Sequence, residues 1–262
     1  MLPLLDKPIL QTIVEDLKNA GIRDILIILN NNKEIIKTHF KPNVELEHLL
    51  EQSRKQPLLQ KLKSINNLAN ISYAYQTKQL GTGDALLYAK QFVGKDNFLL
   101  MYGDEVMFCK NKTMPTQLIE CFKIHNKNVI SVQTCNPNDV YKYGIIKATP
   151  IDHTTYKVDD FVEKPNIENA PSNICFLGAS ALTCEIFDEL HKLNFKLEAE
   201  SELPLTDALL NLIKNDKVVA KLIDGTRIDA GNKLGFVKAN VFAGLKDPEI
   251  STELKTFLKE IL

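Results

Sequence analysis

The sequence predicts an α/β fold built on an open, doubly wound, mostly parallel sheet. Continuous apolar runs at residues 24–29, 97–102 and 129–134 suit strands buried on both faces. Segments with helical apolar spacing alternate with those runs. A strand-rich, turn-rich stretch follows at residues 143–181, before helical patterning returns.

The elements follow in order. Ile9, Leu10, Ile13, Val14 and Leu17 share one helical face, and Gly21 supplies a stop. The run at 24–29 is the first strand. A charge-rich helical stretch spans about 33–62, with Leu46, Leu49 and Leu50 as its apolar stripe. Residues 71–75 form a strand, and Gly81-Thr82-Gly83-Asp84 opens a helix through Phe92. The strand at 97–102 ends on Gly103-Asp104-Glu105. A helix at 115–125 precedes the strand at 129–134. Later helices fall near 185–192, 206–214, 234–245 and 249–261, with a short strand at 218–223.

The chain has 262 residues, enough for one large α/β domain or a domain with a small appendage. Its 32 basic and 33 acidic residues leave a net charge of −1. That balance gives no electrostatic footprint for nucleic acid or an anionic membrane. A small anionic ligand needs only one local cluster. The five cysteines are odd in number and show no Cys-x-x-Cys spacing, which points to reduced thiols in a cytoplasmic protein. No signal peptide and no membrane-length apolar run is expected.

Gly103-Asp104-Glu105 lies beyond an apolar strand, where open sheets bind ligands. A carboxylate there suits Mg²⁺ held against a polyphosphate, and the same tripeptide equally makes a turn. Asp229, in Ile228-Asp229-Ala230-Gly231-Asn232, is a second candidate carboxylate, or simply a helix cap. Gly81-x-Gly83 allows close backbone approach, but it lacks the third glycine of a dinucleotide fingerprint. Gln76, at a strand end, carries the donor and acceptor that a base edge needs. Glu163-Lys164-Pro165 ends another strand and offers a carboxylate for sugar hydroxyls and an ammonium for phosphate. The bland reading of that dipeptide is an exposed charge pair. No Ser/His/Asp or Cys/His arrangement stands out, which weakens hydrolase readings.

Together these segments resemble the bacterial UTP–glucose-1-phosphate uridylyltransferases, in order and over the whole length. Met1-Leu2-Pro3-Leu4-Leu5-Asp6-Lys7-Pro8 looks like the tail of the family's N-terminal signature. Gln76 to Ala85 resembles its base-binding Gln and glycine loop. Tyr143-Gly144-Ile145-Ile146, Val162-Glu163-Lys164-Pro165 and Ala170-Pro171-Ser172-Asn173 match its sugar-phosphate region. Leu205-Thr206-Asp207-Ala208 and Asp229-x-Gly231-Asn232-Lys233-Leu234-Gly235 match its C-terminal motifs. The helical stretch from His39-Phe40 to Leu62 resembles an insertion of the uridylyltransferases that the related thymidylyltransferases lack.

The resemblance implies a Rossmann-like nucleotidyltransferase sheet in a single domain over residues 1–262. Residues 1–140 would form the nucleotide-binding half, and 141–262 the sugar-phosphate half with the C-terminal helices. It implies formation of UDP-glucose and pyrophosphate from UTP and glucose 1-phosphate, with Mg²⁺ as cofactor. Asp104 and Asp229 would hold the metal. Gln76 and Gly81 would meet the uracil, Gly144 and Glu163 the glucose, and Lys164 the sugar phosphate. Gly178 and Glu202 would border the same substrate. A homo-oligomer is expected, with the C-terminal helix as an interface.

Departures from the family pattern accompany the match. The family's first strand and its Gly-x-Gly-Thr-Arg loop would lie just before Met1, so the chain reads as N-terminally truncated. The strands flanking that missing one would leave backbone groups unpaired, or close up differently. Ala179-Ser180 and Glu200-Ser201-Glu202 replace the more usual Arg-Tyr and Gly-Asp-Glu. The alternative to a working enzyme is a catalytically inactive binding or oligomerisation homologue.

Overall fold

The computed structural model describes residues 1–30, 33–195, 197–198 and 201–261. Glu200 therefore lies outside the described residues. A small hairpin of β1 (Pro3–Leu4) and β2 (Lys7–Pro8) leads into α1 (Ile9–Asn19), which buries Ile9, Ile13, Val14 and Leu17. β3 (Asp24–Asn30) follows, then α2 (Glu34–Phe40), α3 (Val44–Gln52) and α4 (Gln56–Asn66). β4 (Asn70–Gln76), α5 (Gly81–Leu87), α6 (Lys90–Val93) and β5 (Phe98–Leu100) come next.

Beyond β5 stand β6 (Glu105–Phe108), α7 (Met114–His125), β7 (Asn128–Thr134), β8 (Gly144–Pro150), β9 (Thr155–Glu163) and β10 (Ile174–Leu182). The chain closes with α8 (Glu185–Asn194), α9 (Leu205–Lys214), β11 (Val218–Leu222), β12 (Thr226–Asp229), α10 (Lys233–Lys246) and α11 (Ser251–Ile261).

The single helical stretch expected at 33–62 is three short helices. Pro42 follows α2 and disfavours helical backbone before it. Arg54, after α3, takes a left-handed φ of 55°. The expected leucine stripe does not pack inward. Leu46 and Leu49 stay 39% and 54% exposed, and the buried anchor is Leu59 of α4.

The largest sheet has the order β5-β10-β7-β11-β9-β8. Within it only β11 and β7 run parallel; β5, β8 and β9 pair with their neighbours antiparallel, and β10 with β7 likewise. β3 and β4 form a separate parallel pair, in register from Asp24↔Asn70 to Asn30↔Gln76. The α/β architecture is as expected, but the sheet is more mixed than the mostly parallel one predicted. Burial on both faces selects apolar runs whatever the strand direction, so such runs do not reveal antiparallel returns such as β8–β9.

Three core clusters pack against the sheets, two of them on opposite faces of β3. Ile25, Ile27 and Leu29 of β3 join Leu99 of β5 and Met101 in one cluster. Leu26 and Ile28 of β3 join Phe98 and Leu100 of β5 in the other. β3 and β5 thus occupy the same layer of the molecule. Among the described residues no ladder joins them, and each pairs along one edge only.

Candidate active site

The site grows from a ladder that the sequence did not announce. β6 pairs antiparallel with β12, placing Glu105 opposite Asp229 and Val106 opposite Ile228. Asp104, one residue before β6, therefore arrives beside Asp229. A Cβ placed on Gly231 would lie 3.0 Å from Asp229 Oδ1 and 3.3 Å from Asp104 Oδ2. Both carboxylates border the same small volume, and a side chain at position 231 would fill it.

Local bonding aims Asp229. Its Oδ1 accepts from the Gly231 N–H at 2.8 Å, and its Oδ2 from the Asn232 amide at 3.2 Å. The cap of α10 is Asn232, whose Oδ1 accepts from Gly235 N–H at 2.8 Å. Asp229 is therefore not the helix cap that its position before Gly-Asn also allowed. Gly235 lets α10 start this close, since a Cβ there would stand 1.7 Å from the Asp229 carbonyl oxygen.

The β8–β9 hairpin contributes a second group. Gly144 faces Glu163 across the ladder. A Cβ on Gly144 would meet the Phe161 ring at 2.3 Å and Glu163 Oε2 at 3.1 Å. Burial pushes the Glu163 carboxyl up, Lys164 pulls it down and the charge of Asp207 pushes it up again. Lys164 holds a left-handed φ of 45° and donates its N–H to the Tyr143 carbonyl at 3.0 Å. For a non-glycine residue that conformation is uncommon and strained.

Gln76 ends β4 and serves the glycine loop. Its Nε2 donates to Asp84 Oδ2 at 2.8 Å and to the Gly81 carbonyl at 3.3 Å. That use of the amide donors leaves the carbonyl oxygen as the acceptor it can offer a base. Gly81, at φ 92°, and Gly83 pack on the backbone of Leu203, where a Cβ would come within 2.9 and 2.7 Å of its carbonyl oxygen. Gly83 N–H donates to that same oxygen at 2.8 Å. The two glycines thus serve a chain crossing as well as any ligand. Glu202, exposed, is the residue before Leu203.

Tyr102 ties these groups together, and sequence reasoning passed it over. Burial pushes its phenol up, the Thr82 hydroxyl opposes this, and the charges of Glu163, Asp104 and Glu105 add to the rise. Gly178, at φ 88°, makes room for the Tyr102 ring. Arg227 was also passed over. Its Nε donates to Glu105 Oε2 at 2.8 Å, and its guanidinium lies 5.0 Å from the centre of the Tyr143 ring. The only available signal was position: Tyr102 precedes Gly103-Asp104, and Arg227 lies two residues before Asp229. A cavity of about 540 Å³ lined by Gln133, Thr134, Asp224, Gly225 and Thr226 reaches Arg227, but no predicted site residue borders it.

Among the described residues no group of three or more His, Cys, Asp or Glu side chains forms a metal cage. The Asp104–Asp229 pair nonetheless fits Mg²⁺, which takes one or two protein carboxylates and keeps its other positions for water and substrate phosphates.

A family model described as nucleotidyl transferase matches residues 1–244. A UTP–glucose-1-phosphate uridylyltransferase of Staphylococcus epidermidis is 40% identical over 261 residues, covering 100% of this chain and 90% of the relative. A Bacillus subtilis protein of the same name is 38% identical, with 100% and 87% covered. The UTP-bound UGPase from Acinetobacter baumannii superposes with a TM-score of 0.91 at 29% identity, over 100% of this chain and 91% of that one. The chain belongs to the nucleotidyl transferase family and, within it, to the UTP–glucose-1-phosphate uridylyltransferases.

Proposed function

We propose that the protein transfers a uridylyl group from UTP to glucose 1-phosphate, releasing pyrophosphate and UDP-glucose. The observation that carries the reading is the convergence of Asp104 and Asp229 beside Gly231. A phosphate oxygen of glucose 1-phosphate attacks the α-phosphorus of UTP, and the bond to the departing pyrophosphate breaks in line with it. No covalent enzyme intermediate is needed, so the protein acts by positioning and charge neutralisation. Mg²⁺ bound at Asp104 and Asp229 would supply positive charge to the phosphates. Lys164 places its ammonium on the sugar phosphate, while Glu163 and the Gly144 backbone receive the glucose. Gln76 and Gly81 face the uracil, and Gly178 and Glu202 border the bound sugar nucleotide.

The same reading takes residues 1–262 as one domain, with the nucleotide held by 1–140 and the sugar phosphate by 141–262. It places the protein in the cytoplasm, in keeping with five free cysteines. No helix among the described residues is long and apolar enough to cross a membrane. A homo-oligomer would use α11, where Phe257 is 54% exposed.

The test is pyrophosphate release by the 262-residue chain given UTP, glucose 1-phosphate and Mg²⁺. Turnover that needs all three supports the reading. Binding of UTP without turnover would instead make the chain an inactive homologue of the family.

A further inference from the structure

We propose that Arg227 is a positioning residue, which fixes the Asp104–Asp229 pair for a divalent cation and ties it to the strained turn at Lys164. The inference rests on the metal-site reading above. Arg227 and Asp229 are two apart on β12, so their side chains leave the same face of the strand. Across the ladder, Arg227 meets Glu105 with both Nε and a terminal nitrogen. Glu105 is the residue after Asp104 and the first of β6, so a fork that fixes Glu105 also fixes where the chain turns into β6. Both partners are largely withdrawn from water, at 15% and 17% side-chain exposure. A planar two-toothed contact of this kind restricts orientation as well as distance.

A face of the guanidinium lies over the Tyr143 ring, while its edge bonds Glu105. The Tyr143 carbonyl accepts the Lys164 N–H, and Gly144 follows it in β8. Arg227 therefore touches both the strand pair that carries the aspartates and the segment that carries Lys164.

The probe is Mn²⁺, titrated into the 262-residue chain and followed by the electron-spin signal of the free ion. The double variant E105Q/R227M removes one charge of each sign, so the net charge at the site is unchanged and any loss reports geometry. It should bind Mn²⁺ at least tenfold more weakly, at a temperature well below its unfolding midpoint. R227K keeps the charge without the fork and should fall in between. L212A is the stability control: Leu212 is 2% exposed and packs in another core cluster, so it should lower the midpoint without moving Mn²⁺ affinity. Wild-type affinity in E105Q/R227M, or an equal loss in L212A, overturns the positioning role. If the wild-type chain itself takes up no Mn²⁺, the metal-site reading fails first and the role of Arg227 with it.

Discussion

The ring of Tyr102 occupies the space where a side chain on Gly178 would stand: a Cβ there would lie 2.1 Å from Tyr102 Cδ2. The backbone at Gly178 is also left-handed, at φ 88°. Gly178→Ala therefore meets both a steric and a conformational penalty, together about 2–5 kcal/mol. Denaturant unfolding measures it. Tyr102→Ala in the same chain should recover the steric part only. A Gly178→Ala protein as stable as wild type would show that the ring does not sit there.

Asp104 and Asp229 converge on one small volume, so each is expected to be needed for turnover. Asp104→Asn and Asp229→Asn keep shape and remove charge. Turnover should fall about 10²–10³-fold, by analogy with the loss of one electrostatic group from an active site. The melting temperature should hardly move. A rate within threefold of wild type for either variant would remove that aspartate from the site.

Lys164 combines an exposed ammonium with a φ of 45°. Lys164→Ala and Lys164→Gly both lose the charge, but only glycine relieves the backbone. Both should raise the KM for glucose 1-phosphate about tenfold, roughly the 1.4 kcal/mol of one charge-assisted contact, and leave the KM for UTP alone. The glycine variant should be the more stable of the two. Equal changes in both KM values would deny a selective contact with the sugar phosphate.

Burial pushes the Asp16 carboxyl from 3.8 up to about 6, and the neighbouring Glu15 charge adds to the rise. The folded protein then holds that proton more tightly than the unfolded chain. The associated stability is fully present below pH 3.8 and is lost as pH rises through about 6. The swing is at most about 3 kcal/mol, at about 1.4 kcal/mol per unit. Asp16→Asn cannot ionise, so its stability should change less between pH 4 and pH 7, and at pH 7 it should exceed wild type. Parallel pH profiles for the two proteins would refute the assignment.

The edges of β3 and β5 that carry no ladder should be visible to solvent exchange. Amides of Asp24–Asn30 and Phe98–Leu100 are expected to exchange faster than those of β7, which is paired on both sides by β10 and β11. Hydrogen–deuterium exchange resolved by peptide would show it. Protection of all three strands to the same degree would mean that those edges are closed.

Strand and helix content was legible because it is local. The run at 24–29 and the helical face of Ile9, Ile13, Val14 and Leu17 follow from side-chain spacing alone, and the structure has β3 and α1 there. Strand direction was not legible, because an apolar run buried on both faces looks the same in either direction. The fate of Leu46 and Leu49 was not legible either. A stripe on a short helix buries itself only if another element reaches it, and among the described residues α3 buries nothing.

By itself the sequence determined the alternation of elements and the order of the motifs. Those depend on residues close along the chain. It named Asp104, Asp229 and Glu163 separately, each with a bland reading beside the functional one, and Gly144 only through the family resemblance. Only the tertiary structure brought Asp104 to Asp229, through a four-residue ladder whose strands lie more than a hundred positions apart. Short strands carry too little periodicity to announce their partner. Tyr102 and Arg227 became visible for the same reason: what they do depends on neighbours that only folding supplies.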